Sequence, residues 1–256
     1  MSDTINTYQA IRSIGEEVSS ISDDISIERP LQILINEEPF TITMCSPSAQ
    51  KELAVGLLHA EDVISNWENV SLNLNCNVKE DMDHLYISCP DASIRDGFKN
   101  ARNFLSVSSC GICGKTELQE VNSESLGKIN SSTEEIHTAF KVMSAHQKDF
   151  QRSGGIHAVA VFNESNEMIT IHEDVGRHNA VDKCVGDLLL QNKLSQAKML
   201  AVSGRISYEI IIKAFRAKIP VVAAVSAPTS LAIDFAKELG ITLYAFCREN
   251  RSTQYA

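Results

Sequence analysis

The sequence predicts an α/β protein: a C-terminal three-layer α/β domain preceded by a smaller N-terminal α+β domain. Three observations carry this expectation. From about residue 133 onward, helical and strand-like stretches alternate. Several strand-like runs there, such as Met199 to Val202 and Val221 to Val225, are continuously apolar, as in parallel strands covered on both faces. The first hundred residues instead set short paired strands around a single helical stretch.

Residues 1–28 are polar and acidic, with scattered isoleucines at no clean period, and read as a loose N-terminal arm. The N-terminal α+β domain is expected over residues 29–105. Leu31 to Ile35 and Phe40 to Met44 read as strands joined by the turn Asn36-Glu37-Glu38-Pro39. Ser46-Pro47-Ser48 reads as a helix start, with Leu53, Ala54, Leu57 and Leu58 on one face. Two further strands, near residues 70–78 and 84–89, flank an acidic turn.

Residues 106–132 read as a mobile cysteine loop followed by a linker helix, whose start is marked by the capping box Thr116-Glu117-Leu118-Gln119. The C-terminal domain is expected over residues 133–256. Glu134 to Phe150 is helical, and Ala158 to Phe162 and Met168 to His172 are strands joined by a polar turn. Arg177 to Leu190, Tyr208 to Ala217 and Thr229 to Leu239 are helices that alternate with the strands Met199 to Val202, Val221 to Val225 and Ile241 to Phe246. Gly240 suits a helix C-terminus. The last three strands are expected to be parallel, with right-handed crossovers.

A chain of 256 residues with net charge −10 has a core of ordinary size and repels nucleic acid and anionic lipid. No apolar run reaches the roughly 18 residues of a membrane span, and the first residues carry no export signal. Seven cysteines without framework spacing fit a reducing compartment. The expectation is a soluble, cytoplasmic protein that binds neither membrane nor nucleic acid.

Chemistry concentrates at Cys110-Gly111-Ile112-Cys113-Gly114-Lys115, preceded by Ser106, Ser108 and Ser109. A reactive thiolate needs exposure, freedom and nearby positive charge. The glycines, the serines, Lys115 and the helix start behind them supply these. A structural zinc site would need a second Cys-x-x-Cys, which the chain lacks. A thioredoxin-like centre would follow a strand opening a βαβ unit, whereas this pair follows a polar serine run.

A second site is expected where ligands sit in open α/β sheets, outside the carboxyl ends of the strands. Those ends carry Arg177 and His178, then Ser203-Gly204-Arg205, then Ser226 and Thr229, then Phe246-Cys247-Arg248-Glu249-Asn250-Arg251. Helix starts with small hydroxyls, and arginine forks, suit phosphate or pyrophosphate. His157, beside Gly154-Gly155, reads as a satisfied structural residue. His178 and Asp182 stand one helical turn apart and read as a pair that orients the ring. The His-x-Glu and Pro-Cys-x-x-Cys pattern of zinc deaminases is absent.

The blocks Arg152-Ser153-Gly154-Gly155-Ile156-His157-Ala158, Glu173-Asp174-Val175-Gly176-Arg177-His178-Asn179-Ala180-Val181-Asp182-Lys183, Ser203-Gly204-Arg205 and Ser226-Ala227-Pro228-Thr229-Ser230-Leu231-Ala232, with the cysteine loop and Glu52-Leu53-Ala54-Val55-Gly56-Leu57-Leu58, resemble the formate dehydrogenase accessory sulfurtransferase family, the FdhD proteins. The resemblance implies a sulfur carrier that takes persulfide sulfur from a cysteine desulfurase onto Cys110, with Cys113 as second thiol. It implies delivery to a molybdenum or tungsten bis(molybdopterin guanine dinucleotide) cofactor destined for formate dehydrogenase, with GDP as a mimic of the ligand. It further implies a C-terminal domain like the cytidine-deaminase fold without zinc, homodimeric association, and a cofactor-binding segment at Phe246 to Arg251. Glu249 and Asn250 depart from the small residues that follow the arginine in the family's pattern. Two other readings of the residues stay open: a dithiol oxidoreductase or redox sensor using Cys110 and Cys113, and a cofactor-binding chaperone that needs no thiol.

Overall fold

The structure, a computed structural model, describes residues 4–77, 82–95, 125–248 and 251–256. Cys110, Cys113, Lys115, the Thr116 capping box, Glu249 and Asn250 lie outside the described residues.

Residues 5–26 are not a loose arm. They form an antiparallel hairpin of β1 (Ile5–Ile14) and β2 (Glu17–Ser26), turning at Gly15 with φ 60° and in register along its whole length. Most of its side chains are exposed on both faces, including Ile11 and Ile14. With neither face buried, nothing demands alternation of apolar and polar residues, and the period-2 signal of a strand is missing. The hairpin is tied to the body through Arg152–Asp24 (2.9 Å) and Ser26 Oγ–Ser153 Oγ (2.6 Å).

The N-terminal unit is a four-stranded sheet, ordered β4-β3-β6-β5, of β3 (Arg29–Ile35), β4 (Glu38–Cys45), β5 (Ser71–Asn77) and β6 (Met82–Ser88). Only β3 and β6 run parallel. The β3–β4 turn contracts to Asn36 and Glu37, both left-handed (φ 48° and 69°), the geometry that matches the twist of a two-residue hairpin. Helix α1 (Gln50–Ala60) begins later than Ser46-Pro47-Ser48 suggested, after left-handed Ala49. Ser46 is occupied elsewhere, as described below.

The C-terminal unit is a six-stranded sheet ordered β12-β11-β10-β9-β7-β8. It comprises β7 (His157–Phe162), β8 (Met168–Asp174), β9 (Met199–Val202), β10 (Val221–Ala224), β11 (Thr242–Arg248) and β12 (Arg251–Gln254). As expected, β9, β10 and β11 are parallel. An element beyond those expected is β12, a short exposed edge strand antiparallel to β11.

One face of this sheet is covered by α4 (Arg177–Leu190), α5 (Tyr208–Arg216) and α6 (Ser230–Leu239). The other is covered by α2 (Thr133–His146). The three layers of the prediction are therefore present. Helix α2 opens on a capping box: Ser132 Oγ accepts from Glu135 N–H (3.1 Å), and Glu135 accepts from Ser132 N–H (2.7 Å). The expected helix to Phe150 breaks at Gln147 (ψ 71°) into α2 and the short α3 (Lys148–Ser153), which ends on left-handed Gly154.

Helix α1 lies between the two units and is buried along most of its length. It packs on the N-terminal sheet through Leu53, Ala54 and Leu58 and crosses α4 backbone to backbone. A Cβ added at Gly56 would meet the Asp182 main chain, and one at Gly186 would meet the Glu52 main chain. Among the described residues no helix is long and apolar enough to cross a membrane.

Candidate functional site

The strand directions build the site. Because β7 runs antiparallel to both β8 and β9, the carboxyl end of β8 reaches the same edge as those of β9, β10 and β11. The start of β7 and the start of β12 come to that edge too. Backbone bonds lace the rim together: Ser203 N–H to Ala158 O (3.0 Å), Val225 N–H to Val202 O (3.1 Å) and Phe246 N–H to Ser226 O (3.2 Å). The loops before α5 and α6 join through Ile206 N–H to Ala227 O (3.1 Å) and Thr229 N–H to Ile206 O (2.9 Å).

A cleft of about 1070 Å³ opens at this rim, between the strand ends and α2–α3. Ser203, Cys247 and Arg248 line it, as does His157, which the sequence reading had set aside. Its far wall, including Lys141, Gln147 and Phe150, was not anticipated. Arg205, Arg248 and Arg251 are exposed at this edge and Arg177 is half-buried, a local positive cluster on a chain of net charge −10. Such a cluster attracts anions against the protein's average field.

At the β11–β12 pairing, a bulge between Ala245 and Arg248 holds Phe246 at φ 53°. A bulky residue in the left-handed region persists only where its surroundings impose it, and such outliers cluster at ligand sites. Cys247, next to it, is buried, and desolvation pushes its thiol up to about 11. It meets the cleft as a neutral SH group.

Other nominated residues take structural work. Thr229 Oγ1 accepts from Ala232 N–H (3.2 Å) and caps α6. The Ser203 hydroxyl accepts from Ala158 N–H (2.9 Å) while still lining the cleft. Gly204 is a steric requirement, because a Cβ there would stand 3.2 Å from His157 Nδ1 and 3.4 Å from Arg177 Cδ. Ser226 is half-buried and outside the cleft lining, where its carbonyl holds Phe246.

His178 does not pair with Asp182. Its ring is buried between α4 and α5, with Nε2 2.8 Å from Ser207 Oγ and 3.1 Å from the Glu209 carboxylate. Asp182 instead accepts two bonds from Lys213 (2.6 and 2.8 Å), and burial pushes its carboxyl up to about 6 against that cation's pull. Helical spacing brought His178 and Asp182 near each other, but Lys213 takes the Asp182 carboxylate while Ser207 and Glu209 take the ring.

The Glu173–Lys183 block also joins the two units. Asp174 and Lys183 form a fully buried ion pair at 2.6 Å. The carboxylate also accepts from Ser46 N–H (3.1 Å), Gly176 N–H (2.8 Å) and the Asn179 amide (2.9 Å). Lys183 also donates to the Ser46 carbonyl (3.2 Å), and Asn179 donates to the Met44 carbonyl (2.7 Å). The block that faces the rim through Arg177 thus grips the end of β4 through its next residues. Among the described residues, no group of three or more His, Cys, Asp or Glu is arranged to hold a metal ion.

A three-layer α/β unit with a cleft at its strand ends, joined to a small α+β unit through the Asp174–Lys183 pair and the α1–α4 crossing, defines the class of fold. The chain belongs to the FdhD/NarQ family, whose model matches residues 26–256; the β1–β2 hairpin lies almost wholly outside that match. The sulfur carrier protein FdhD of Sulfolobus acidocaldarius is 39% identical over 239 residues, 93% of this chain and 90% of that protein. That of Picrophilus torridus is 38% identical over 252 residues, 95% of this chain and 94% of that protein. The fold matches a crystal structure from Desulfotalea psychrophila, described as a candidate formate dehydrogenase accessory protein, with TM-score 0.75 at 20% identity, covering 99% of this chain and 97% of that one.

Proposed function

We propose that this chain is a sulfur carrier for the maturation of a formate dehydrogenase. The observation that carries the reading is family membership, with relatives named sulfur carrier protein FdhD matching more than nine-tenths of this chain at 38–39% identity. In this reading Cys110 thiolate attacks the sulfane sulfur of a cysteine desulfurase persulfide, and the donor's cysteine leaves as a thiolate. An electron pair of the acceptor then takes up the outer sulfur of the Cys110 persulfide, the S–S bond breaks, and Cys110 leaves as a thiolate. Cys113 serves as second thiol.

The five described cysteines support leaving this work to the loop. Desolvation raises the thiol of each, Cys45 to about 12 and Cys247 to about 11, and a raised thiol is a poor nucleophile at neutral pH. Cys110 stands fifteen positions from both Arg95 and Ser125. Extended chain of that length spans roughly 50 Å, so reach to the rim is no obstacle.

The acceptor is a molybdenum or tungsten bis(molybdopterin guanine dinucleotide), handled as substrate by a cytoplasmic homodimer before insertion into the dehydrogenase. Its phosphates suit Arg177, Arg205, Arg248 and Arg251, with backbone N–H groups at the starts of α5 and α6 beside them. The cleft is large enough for a nucleotide, being at the upper end of small-molecule sites.

Intact mass after incubation with a desulfurase and cysteine tests the carrier. One added, cyanide-labile sulfur is expected on the wild type and none on Cys110→Ala; full sulfur loading of that variant overturns the assignment. Arg248→Ala should weaken GDP about tenfold, the loss of one charge-assisted hydrogen bond at roughly 1.5 kcal/mol. Unchanged affinity by calorimetry places the nucleotide elsewhere.

A further inference from the structure

His157 stands where the strand pairing brings the start of β7 to the rim. It begins β7, paired across the sheet with Asp174, and its half-buried ring lines the cleft. The ring and the Arg177 side chain converge on Gly204, where both approach the space a Cβ would fill. Arg205 follows Gly204 directly and Ser203 precedes it. The imidazole is therefore set among the groups assigned above to the ligand's phosphates, on the wall that the ligand would touch.

We infer that His157 is a ligand-binding residue of this cleft, which takes up a proton from solvent when a pyrophosphate-bearing ligand binds and then donates a hydrogen bond to a phosphate oxygen. The inference rests on the anion-binding reading of the rim. In the free protein the ring is held neutral by burial first, then by the Arg177 and Arg205 guanidiniums, against the opposite pull of Asp174.

The charges around it come from every neighbouring element. Asp174 of β8 is paired with Lys183 and three N–H groups, and its remaining pull on the ring is outweighed by burial and the Arg177 guanidinium. Glu173 turns its carboxylate to the N–H groups of Asp149 and Phe150 on α3 (2.9 Å each). Across the cleft stand Lys141 and His137 of α2 and Arg248 of β11. The charges that Arg205, Lys141 and Arg248 bring towards the ring are positive. A ligand bearing two phosphates reverses this balance: it neutralises the arginines and offers the ring an acceptor. The charged form of the imidazole, opposed in the free protein, becomes the favoured one.

The linkage has a definite sign. Protonation coupled to binding makes affinity rise as pH falls, by up to about tenfold per pH unit between the free and bound titration midpoints. GDP on the full-length chain is the probe, and the His157 Cε1–H resonance, assigned with His157→Gln, is the readout. The midpoint is expected below 6.5 without GDP and above 6.5 with saturating GDP. Calorimetry should show that His157→Gln still binds GDP but loses the wild-type steepening of affinity between pH 8 and 6. A midpoint unmoved by GDP that demonstrably binds overturns this inference and leaves the rim reading intact. A chain that binds neither GDP nor inorganic pyrophosphate at any pH overturns both. Should His157→Gln fold poorly by thermal melt, the wild-type midpoint alone decides.

Discussion

Replacing Gly56 by alanine sets two principles against each other. In a helix interior alanine is favoured over glycine by about 1 kcal/mol, so propensity alone predicts a more stable protein. At the α1–α4 crossing the added methyl would lie 2.6 Å from the Asp182 carbonyl carbon and 2.8 Å from its Cα. Carbon contacts relax only near 3.5–4.0 Å, and a main chain cannot rotate away as a side chain can. The helices must part by roughly 1 Å along a contact that joins the two units, which forfeits a quarter to a half of the dispersion well for each affected atom pair. Overpacking of this kind costs up to about 3 kcal/mol, leaving a net loss of about 2 kcal/mol after the propensity gain. For a chain of this size that is a drop in Tm of about 4–8 °C.

Gly186 meets Glu52 in the same way, with its added methyl 2.8 Å from the Gly56 nitrogen. One separation of the helices relieves both clashes, so the double variant should cost clearly less than the sum of the singles. Urea unfolding should be followed by far-UV circular dichroism and by Trp67 fluorescence, the single tryptophan of the chain, which packs against the core of the N-terminal unit. The two transitions should coincide in the wild type and separate in the variants. A Gly56→Ala protein as stable as wild type, or more so, would refute the argument.

Lys183→Met should destabilise by about 3–5 kcal/mol, because it leaves the Asp174 carboxylate buried without its cation; urea midpoints measure this, and a loss below about 1 kcal/mol would show the pair to be dispensable. Burial holds His59, His157 and His172 below their ordinary 6.5 in the folded chain. The unfolded chain thus binds protons first at these sites, so the three histidines should make unfolding free energy fall as pH drops below 6.5. His59→Gln should flatten part of that slope in a pH series of urea midpoints, and an unchanged slope would contradict the assignment. Native alkylation with iodoacetamide at pH 7, mapped by peptide mass, should spare Cys45, Cys184 and Cys247, whose thiols are buried and raised. Rapid labelling of Cys247 would mean that the rim is far more open than its packing implies.

The sequence by itself determined what depends on neighbours along the chain. Periodicity and punctuation located α4 at Arg177–Leu190, β9 at Met199–Val202 and the C-terminus of α6 at Gly240, whose φ of 71° suits glycine. Continuous apolar runs announced buried parallel strands, because a strand covered on both faces has no polar side to display. The alternation of helix and strand pointed to the strand ends as the place for a ligand, and Ser203, Cys247 and Arg248 line a cleft there.

Only the tertiary structure decided which partner each polar group takes. His178 and Asp182 are one turn apart in sequence, yet α5 and the residue before it supply Glu209 and Ser207 to one and Lys213 to the other. Asp174 and Lys183 carry no local mark of being an ion pair that clamps Ser46, since their third partner lies more than a hundred residues away. The α2–α3 wall of the cleft and the role of Gly56 follow from which surfaces meet, and spacing within one helix carries no record of that. The β1–β2 hairpin escaped notice for the complementary reason: its strands pair with each other but bury neither face, so the pattern that betrays a strand was never required.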